Sequence, residues 1–149
     1  MPETDLIKLY SERILKLASE IPLTGRLDAP DGTSNKRSPV CGSNVTVDLC
    51  VEGGRVNAFA QDVRACALGQ AAASVVGASI LGCTRDQVQR GRDQLAAMLM
   101  QQGPAPEAPF DGLETLIAAR DFENRHDSIL LTLEATLDAM TKAEHAAVA

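Results

Sequence analysis

The chain has 149 residues, a length typical of one domain that encloses its own hydrophobic core. Its net charge of −6 and isoelectric point near 4.8 argue against nucleic acid as the main partner, because phosphate binding needs clustered positive charge. Aromatic residues make up only 3% of the chain and tryptophan is absent, so the core must be built mainly from aliphatic side chains.

The first predicted element is a helix over residues 4–21. Its apolar residues recur at spacings of three and four, which places them on one helix face: Ile7, Tyr10, Ile14, Leu17 and Ile21. Pro22 ends this helix because proline lacks the backbone donor that would continue it. Residues 22–44 are rich in Gly, Pro, Asp, Ser and Asn, and they are predicted to form a loop.

A change of hydrophobic period to two indicates a strand over residues 45–52. Apolar Val and Leu alternate there with polar residues, which is typical of a half-buried strand. Gly53 and Gly54 supply the positive φ angles of a tight hairpin turn, and residues 55–63 return as the partner strand. Cys50 falls on the polar face of the first strand.

From residue 67 onward the pattern is helical. The stretch "ALGQAAASVVGASIL" predicts a buried helix of small residues, and "TRDQ" at 84–87 has the form of a capping box for the next helix. A Pro/Gly-rich loop is expected over 101–112, followed by a short helix over 113–120. The last helix carries one apolar face formed by Leu130, Leu133, Leu137 and Met140.

This order of elements predicts an α+β fold: an N-terminal helix, a small antiparallel sheet, and several C-terminal helices packed on the sheet. We expect a single domain over 1–149, with 1–3 and 142–149 frayed. Residues 65–84 carry no charge, but Ala, Gly and Ser dominate them, so a buried helix is favoured over a membrane span. No secretory signal is visible, and a cytoplasmic location with free cysteines is expected.

Candidate site residues lie at three boundaries between elements. Cys41 lies where the loop enters the first strand, and Cys66 lies where the second strand leads into the small-residue helix. His126 and Asp127 lie where the last helix begins. The pair could cap that helix, or it could supply ligands or catalytic groups to a site shared with the cysteines. Spacing alone does not decide between these roles.

Several stretches resemble one known family. "LYSERILKLA", "SPVCGSNVTVDLCVEGGRV", "RACALGQAAASVV" and "RHDSILL" are similar to the U-type iron–sulfur cluster scaffolds, which include IscU, SufU and the N-terminal domain of NifU. The resemblance runs from about residue 6 to about residue 140, and the long gap after Cys66 is similar to the SufU branch. It implies the same α+β fold and a shallow site built by three cysteines on three elements, of which Cys41 and Cys66 match the first two.

The chain departs from the family pattern at two ligand positions. Ser43 stands where the family has an aspartate after Cys-Gly, and the third cysteine is missing. Aligning "HDSIL" with the IscU form "HCSIL" puts Asp127 in the third position, whereas aligning on Arg125, as in SufU, puts Ser128 there. We prefer Asp127, because two possible ligands then stay together. The resemblance thus implies a cluster site of Cys41, Cys66 and Asp127, and a metal site that adds His126.

Two thiolates, one imidazole and one carboxylate suit tetrahedral zinc, whereas an iron–sulfur cluster prefers four thiolates. We therefore expect a scaffold or carrier, not an enzyme, that binds iron, zinc or a labile cluster and accepts sulfur. The resemblance implies a cysteine desulfurase and other iron–sulfur assembly proteins as partners. Two alternatives stay open: a metal-free, partner-binding relic of the fold, and a thiol enzyme with Cys41 or Cys66 as nucleophile and His126 as base.

Overall fold

The structure is a computed structural model, and it describes residues 11–148, with the side chains of 147 and 148 excepted. The helices and strands, in chain order, are α1 (Glu12–Ser19), β1 (Gly32–Arg37), β2 (Asn44–Glu52), β3 (Arg55–Arg64), α2 (Ala67–Ser79), α3 (Arg85–Met100), a 3₁₀ helix (Asp111–Asp121) and α4 (Glu123–Val148). The fold is α+β, which confirms the predicted class. The first part of the predicted helix over 4–21 and the expected frayed residues 1–3 lie outside the described residues.

Strands β1, β2 and β3 form an antiparallel sheet in that order. The predicted hairpin of β2 and β3 is confirmed, and Gly53 and Gly54 adopt φ angles of +60° and +77° at its turn. Strand β1 was missed, because its sequence "GTSNKR" is polar and lies in the segment predicted to be a loop. Pairing of its backbone with β2 makes it a strand, and as an edge strand it tolerates polar side chains.

The core lies between the sheet and the helices α2 and α4. Val45, Val47 and Leu49 of β2 are fully buried, as the alternating pattern predicts. Helix α2 is buried along most of its length, and its small residues let neighbouring elements approach closely. Close approach also governs β1, where a Cβ at Gly32 would collide with the backbone of α4 at Ala139. Burial of these apolar side chains is the main source of stability.

A buried carboxylate fixes the loop between α1 and β1 against the sheet. Asp48 of β2 has no solvent exposure and accepts hydrogen bonds from Arg26 Nε at 2.6 Å and from Thr33 Oγ1 at 2.6 Å. The backbone N–H of Leu27 donates a further hydrogen bond of 3.1 Å to the same carboxylate. Burial by itself raises the pKa of Asp48, but these bonds and the Arg26 charge outweigh it, and the net direction is downward.

The predicted capping box of α3 is confirmed. The Thr84 hydroxyl accepts the backbone N–H of Gln87 at 3.3 Å, and the Gln87 side chain accepts the backbone N–H of Thr84 at 2.8 Å. Within residues 11–148, no helix is both long enough and apolar enough to cross a membrane.

The last two helices differ in extent from the predictions. The short helix expected over 113–120 is a 3₁₀ helix over Asp111–Asp121, with Leu113 and Leu116 buried. Helix α4 continues to Val148, past residue 142, where fraying was expected. Alanine-rich sequence over 143–148 favours this continuation, because alanine has the highest helix propensity.

Candidate functional site

Cys41 lies in the loop that connects β1 to β2. The backbone N–H of Ser38 donates to the carbonyl of Ser43 at 2.8 Å, and the N–H of Gly42 donates to the carbonyl of Ser38 at 2.8 Å. Gly42 has a φ of +72°, a left-handed conformation that a residue with a side chain rarely adopts. This tight loop holds Cys41 at the end of the sheet, half-buried and next to the exposed Val40.

Cys66 is the N-cap residue of α2, and only Ala65 separates it from the end of β3 at Arg64. Its side chain makes no capping hydrogen bond to its own helix. The thiol instead approaches α4, where its Sγ lies 3.5 Å from the hydroxyl oxygen of Ser128. The start of α2 and the second turn of α4 therefore meet at this thiol.

A pair of buried serine hydroxyls joins the two cysteines. Ser43 Oγ and Ser128 Oγ lie 2.8 Å apart, and the two residues are only 2% and 1% exposed. The Sγ atom of Cys41 lies 3.3 Å from Ser43 Oγ, and the Sγ atom of Cys66 lies 3.5 Å from Ser128 Oγ. Continuous contact thus runs from one thiol to the other through two hydroxyls.

The same hydroxyls alter the acidity of Cys41. Burial raises the pKa of this thiol, but hydrogen bonds from the Ser38 and Ser43 side chains, the Ser43 backbone and the Ser128 hydroxyl stabilise the thiolate more strongly. The net result is a pKa of about 7, below the ordinary value for cysteine. A substantial fraction of Cys41 is therefore thiolate, the nucleophilic and metal-binding form, at neutral pH.

Gly69 of α2 permits Ser128 to reach this position. A Cβ atom at residue 69 would lie 2.6 Å from Ser128 Oγ and 3.1 Å from the Ser128 carbonyl oxygen. It would also lie 2.8 Å from the Cβ of Ala65. Because real contacts of this kind are longer, any larger residue would push α4 away from α2 at the site.

His126 and Asp127 do not join the cysteines among the described contacts. His126 is 4% exposed, and its Nε2 lies 3.0 and 3.1 Å from the carbonyl oxygens of Ala119 and Arg120, so it donates to the end of the 3₁₀ helix. Asp127 is exposed and borders, with His126 and Arg120, an open cavity of about 740 Å³ away from both thiols. Over residues 11–148, no three His, Cys, Asp or Glu side chains lie close enough together to hold a metal ion.

Comparison with known proteins gives the family. No protein-family model and no curated protein matches the chain. Among solved structures, the N-terminal part of a nitrogen-fixing NifU-like protein from Brucella abortus is 39% identical, with a TM-score of 0.92. That comparison covers 95% of this chain and 98% of the other. The chain belongs to the U-type scaffold family.

Two further structures share the U-type fold at 18% identity. One is a candidate iron–sulfur cluster assembly scaffold protein for the SUF system from thermophilic Fervidobacterium islandicum AW-1, with a TM-score of 0.81. The comparison covers 90% of this chain and 98% of the Fervidobacterium protein. The other is a hypothetical protein with a TM-score of 0.77, matched over 91% of this chain and 98% of its own. At this identity they inform on the fold alone.

In this U-type chain, Ser128 rather than Asp127 lies between the two thiols. Ser128 is the residue that the SufU-like alignment places at the third ligand position, whereas the alignment that the sequence favours places Asp127 there. The contact of Ser128 with Ser43 was not foreseen, because 85 positions separate the two residues and no local pattern links them. The ligand roles of His126 and Asp127 stay predictions.

The other two cysteines lie outside this group. Cys83 is buried, burial raises its pKa, and its Sγ donates to the Ser79 carbonyl at 3.1 Å. Cys50 is half-buried on β2 and faces the Ala29 carbonyl at 3.6 Å. The structure therefore separates the four cysteines into one pair that shares a hydroxyl bridge and two that lie apart from it.

Proposed function

We propose that this protein is an iron–sulfur assembly scaffold or carrier that binds iron, zinc or a labile cluster and accepts sulfur through Cys41 and Cys66. Membership of the U-type scaffold family supports the general class. The observation that carries the proposal for this chain is the contact of both thiols with the Ser43–Ser128 hydroxyl pair.

The ligand atoms at the site decide whether a zinc ion or an iron–sulfur cluster fits better. Two thiolates are half the number that an iron–sulfur cluster prefers, whereas zinc accepts a mixture of sulfur, nitrogen and oxygen donors. We propose Cys41 and Cys66 as the fixed ligands, with the Ser128 hydroxyl or the Asp127 carboxylate as a weaker oxygen donor. Asp127 supports this role by being exposed one residue before Ser128, so its side chain has room to turn.

We further propose a cysteine desulfurase as the sulfur donor and other iron–sulfur assembly proteins as partners. A sulfur acceptor must offer a thiolate to the donor. Cys41, with a pKa of about 7, is partly thiolate at neutral pH and meets this requirement. The exposed Val40 beside Cys41 indicates that this loop is reachable by a protein partner.

The two alternatives differ in what supports them. A thiol enzyme would need His126 as base, yet this ring is buried, its Nε2 donates to the carbonyls of Ala119 and Arg120, and no described hydrogen bond joins it to Cys41 or Cys66. We therefore propose no enzymatic activity. A metal-free relic would keep the fold and its partner surfaces without a cargo, and only binding measurements separate it from a carrier.

The test is the metal and acid-labile sulfide content of protein purified without oxygen, before and after reconstitution with iron and sulfide. Stoichiometric zinc or iron in the wild type, lost in Cys41→Ser and in Cys66→Ser, would support the carrier, and sulfide would distinguish a cluster from a single ion. Cys50→Ser is the matched control, because it removes a thiol outside the site and should leave the content unchanged. A wild-type protein that binds neither metal nor cluster would contradict the carrier function and support the metal-free, partner-binding alternative.

Ser128→Ala and Asp127→Ala then separate the two oxygen donors. Each variant removes one candidate donor and leaves both thiols in place. Weaker zinc binding in Ser128→Ala alone would assign the third position to Ser128, whereas weaker binding in Asp127→Ala alone would assign it to the carboxylate.

A further inference from the structure

The hydroxyl bridge between the thiols brings together two groups that can exchange electrons with a delivered sulfur atom, a reaction that needs no metal. A sulfur atom delivered as a persulfide is sulfane sulfur, and it must gain two electrons to become sulfide. Two thiols supply two electrons when they join as a disulfide. Cys41 and Cys66 contact the same pair of buried hydroxyls, so both reactants for such a reaction belong to one site.

We propose that Cys41 and Cys66 act as an internal dithiol reductant that converts a persulfide on Cys41 into free sulfide. This goes beyond the proposed scaffold function, since it uses only the two thiols and the serine pair and needs no bound metal.

The first step loads Cys41. Its thiolate attacks the terminal sulfur of a donor persulfide, R–S–SH, forming a new S–S bond while the donor S–S bond breaks and R–S⁻ leaves. Cys41 is the residue suited to this step, because it is only partly buried and lies beside the exposed Val40. The Ser38 and Ser43 hydroxyls, at 3.4 and 3.3 Å, stabilise negative charge on its sulfur.

The second step releases sulfide. The Cys66 sulfur attacks the inner sulfur of the Cys41 persulfide, the Cys41–Cys66 disulfide forms, and the outer sulfur leaves as HS⁻. Both cysteine sulfurs are oxidised and the sulfane sulfur is reduced by two electrons, so no external oxidant or reductant is consumed. A dithiol reductant such as dithiothreitol returns the disulfide to two thiols for another cycle.

The serine pair carries the proton that this step moves. The Cys66 thiol loses a proton as it attacks, and the outer sulfur, which leaves as HS⁻, takes up that proton to become H₂S. Ser128 Oγ lies 3.5 Å from Cys66 Sγ and 2.8 Å from Ser43 Oγ, which in turn lies 3.3 Å from Cys41 Sγ. A proton passed along these hydroxyls therefore reaches the sulfur atoms of Cys41 without entering bulk water.

The position of Cys66 is fixed by the helix that it begins, whereas the loop of Cys41 has room to move toward it. Cys66 is fixed as the N-cap of α2, whose small residues are tightly packed. Cys41 lies beside Gly42, around which there is open space. A shift of the loop tip toward α2 would close the gap between the sulfur atoms, and the reaction would then be intramolecular, with the rate advantage that this gives.

The experiment uses the reduced protein, free of metal and oxygen, in the presence of a chelator, with glutathione persulfide as the sulfur donor. We expect about one sulfide released per chain, loss of two thiols, and a Cys41–Cys66 disulfide identified by peptide mass spectrometry. In Cys66→Ser the added sulfur should stay on Cys41, and sulfide release should be roughly tenfold slower or more. Cys50→Ser should behave like the wild type.

Two further readouts guard against misleading results. Ser128→Ala keeps both thiols but breaks the hydroxyl chain, so sulfide release from Cys41 that already carries the persulfide should be severalfold slower than in the wild type. The wild-type rate should not depend on protein concentration, because the reaction is intramolecular. A stable persulfide on wild-type Cys41, or equal sulfide release from Cys66→Ser, would overturn the proposal. A wild type that releases sulfide but binds no metal or cluster would refute the scaffold function and leave this reaction intact.

Discussion

The Ser128 hydroxyl lies 2.8 Å from the Ser43 hydroxyl, and each serine contacts the thiol of a different cysteine. The family resemblance places the aspartate after Cys-Gly at position 43. In the SufU-like alignment it places the third cysteine at position 128. In this chain the two positions hold hydroxyls that bond each other. Such a pair holds the site together without metal, because neither hydroxyl is left unsatisfied on burial.

Gly69→Ala should disturb the Ser43–Ser128 pair, because it adds a methyl group on α2 next to Ser128. The added Cβ would lie 2.6 Å from Ser128 Oγ, so Ser128 or the whole turn of α4 must move. We expect a loss of about 1–3 kcal/mol in the free energy of unfolding, measured by urea denaturation. Zinc binding should weaken as well, because the cysteines lose their shared contact.

The control for Gly69→Ala is a double-mutant cycle with Ser128→Ala. Removing the hydroxyl relieves the closest of the overlaps, so the double variant should be more stable than the sum of the single effects predicts. Strictly additive losses would show that Gly69 acts through Ala65 or the backbone and not through Ser128.

Alkylation of Cys41 should follow a titration with a midpoint near pH 7, because the thiolate is the reactive form. Ser43→Ala removes a hydrogen bond to the thiolate, so its midpoint should move upward toward the ordinary cysteine value. Iodoacetamide labelling across pH, with the modified peptide identified by mass spectrometry, measures both. Cys83 is the internal reference, because burial raises its pKa and it should label slowly throughout. An unchanged midpoint in Ser43→Ala would contradict the hydrogen-bond account.

The sequence predicts the hairpin of β2 and β3 and helix α2 because their periodicity is local. Strand β1 escapes prediction, since its polar residues become a strand only through backbone pairing with β2. The two cysteines could be singled out by their places at element boundaries. The serine bridge could not, because it joins residues 43 and 128 through tertiary packing alone. His126 was expected at the site, yet its buried ring points to the 3₁₀ helix, a direction that helix periodicity alone did not give.

Asp48→Asn should lower stability at neutral pH by about 2 kcal/mol, because the buried carboxylate accepts charge-assisted bonds from Arg26. The exposure of the Arg26 side chain screens part of this contribution. The folded-state pKa of Asp48 lies below its unfolded value, so the contribution is fully present above the unfolded pKa, about 3.9. It is lost as pH falls through the folded pKa.

The measurement is urea unfolding of wild type and Asp48→Asn from pH 7 down to pH 3. The difference between the two proteins should stay constant down to about pH 4 and shrink below that pH. Asp62→Asn is the control, since that partly exposed carboxylate makes a long ion pair with Arg64 and only the smallest of the interactions that raise the pKa of Arg26, so the change should have little effect. A difference that persists undiminished at pH 3 would mean that charge on Asp48 is not what stabilises this loop.

His126→Leu should destabilise the protein without weakening metal binding. The imidazole donates to the carbonyls of Ala119 and Arg120, and its loss removes these bonds at a cost of about 1–3 kcal/mol. The Ala119 carbonyl still accepts the backbone N–H of Phe122, so the Arg120 carbonyl is the acceptor that loses its described partner. Thermal unfolding measures the cost, and zinc titration of the folded protein measures the affinity. Asp127→Asn is the control for stability, because that side chain is exposed. Loss of zinc affinity in folded His126→Leu would instead support the original prediction of His126 as a ligand.

Ser128→Cys should convert the site into one with three thiols. The Ser128 oxygen already contacts Cys66, so a sulfur atom there would lie beside both existing thiols. Thiolate binds zinc and iron–sulfur clusters more strongly than a neutral hydroxyl, so zinc affinity should rise by roughly tenfold or more. Zinc competition with a chromogenic chelator and cluster absorbance after reconstitution measure the gain.

The matched control is Asp127→Cys, which adds the same thiol one residue earlier. Because residue 127 faces solvent and makes no described contact with Cys41 or Cys66, this variant should gain little affinity. The reverse result, a gain in Asp127→Cys and none in Ser128→Cys, would return the third ligand position to residue 127. Since the two variants have equal cysteine counts, the comparison depends on position alone and not on the chemistry added.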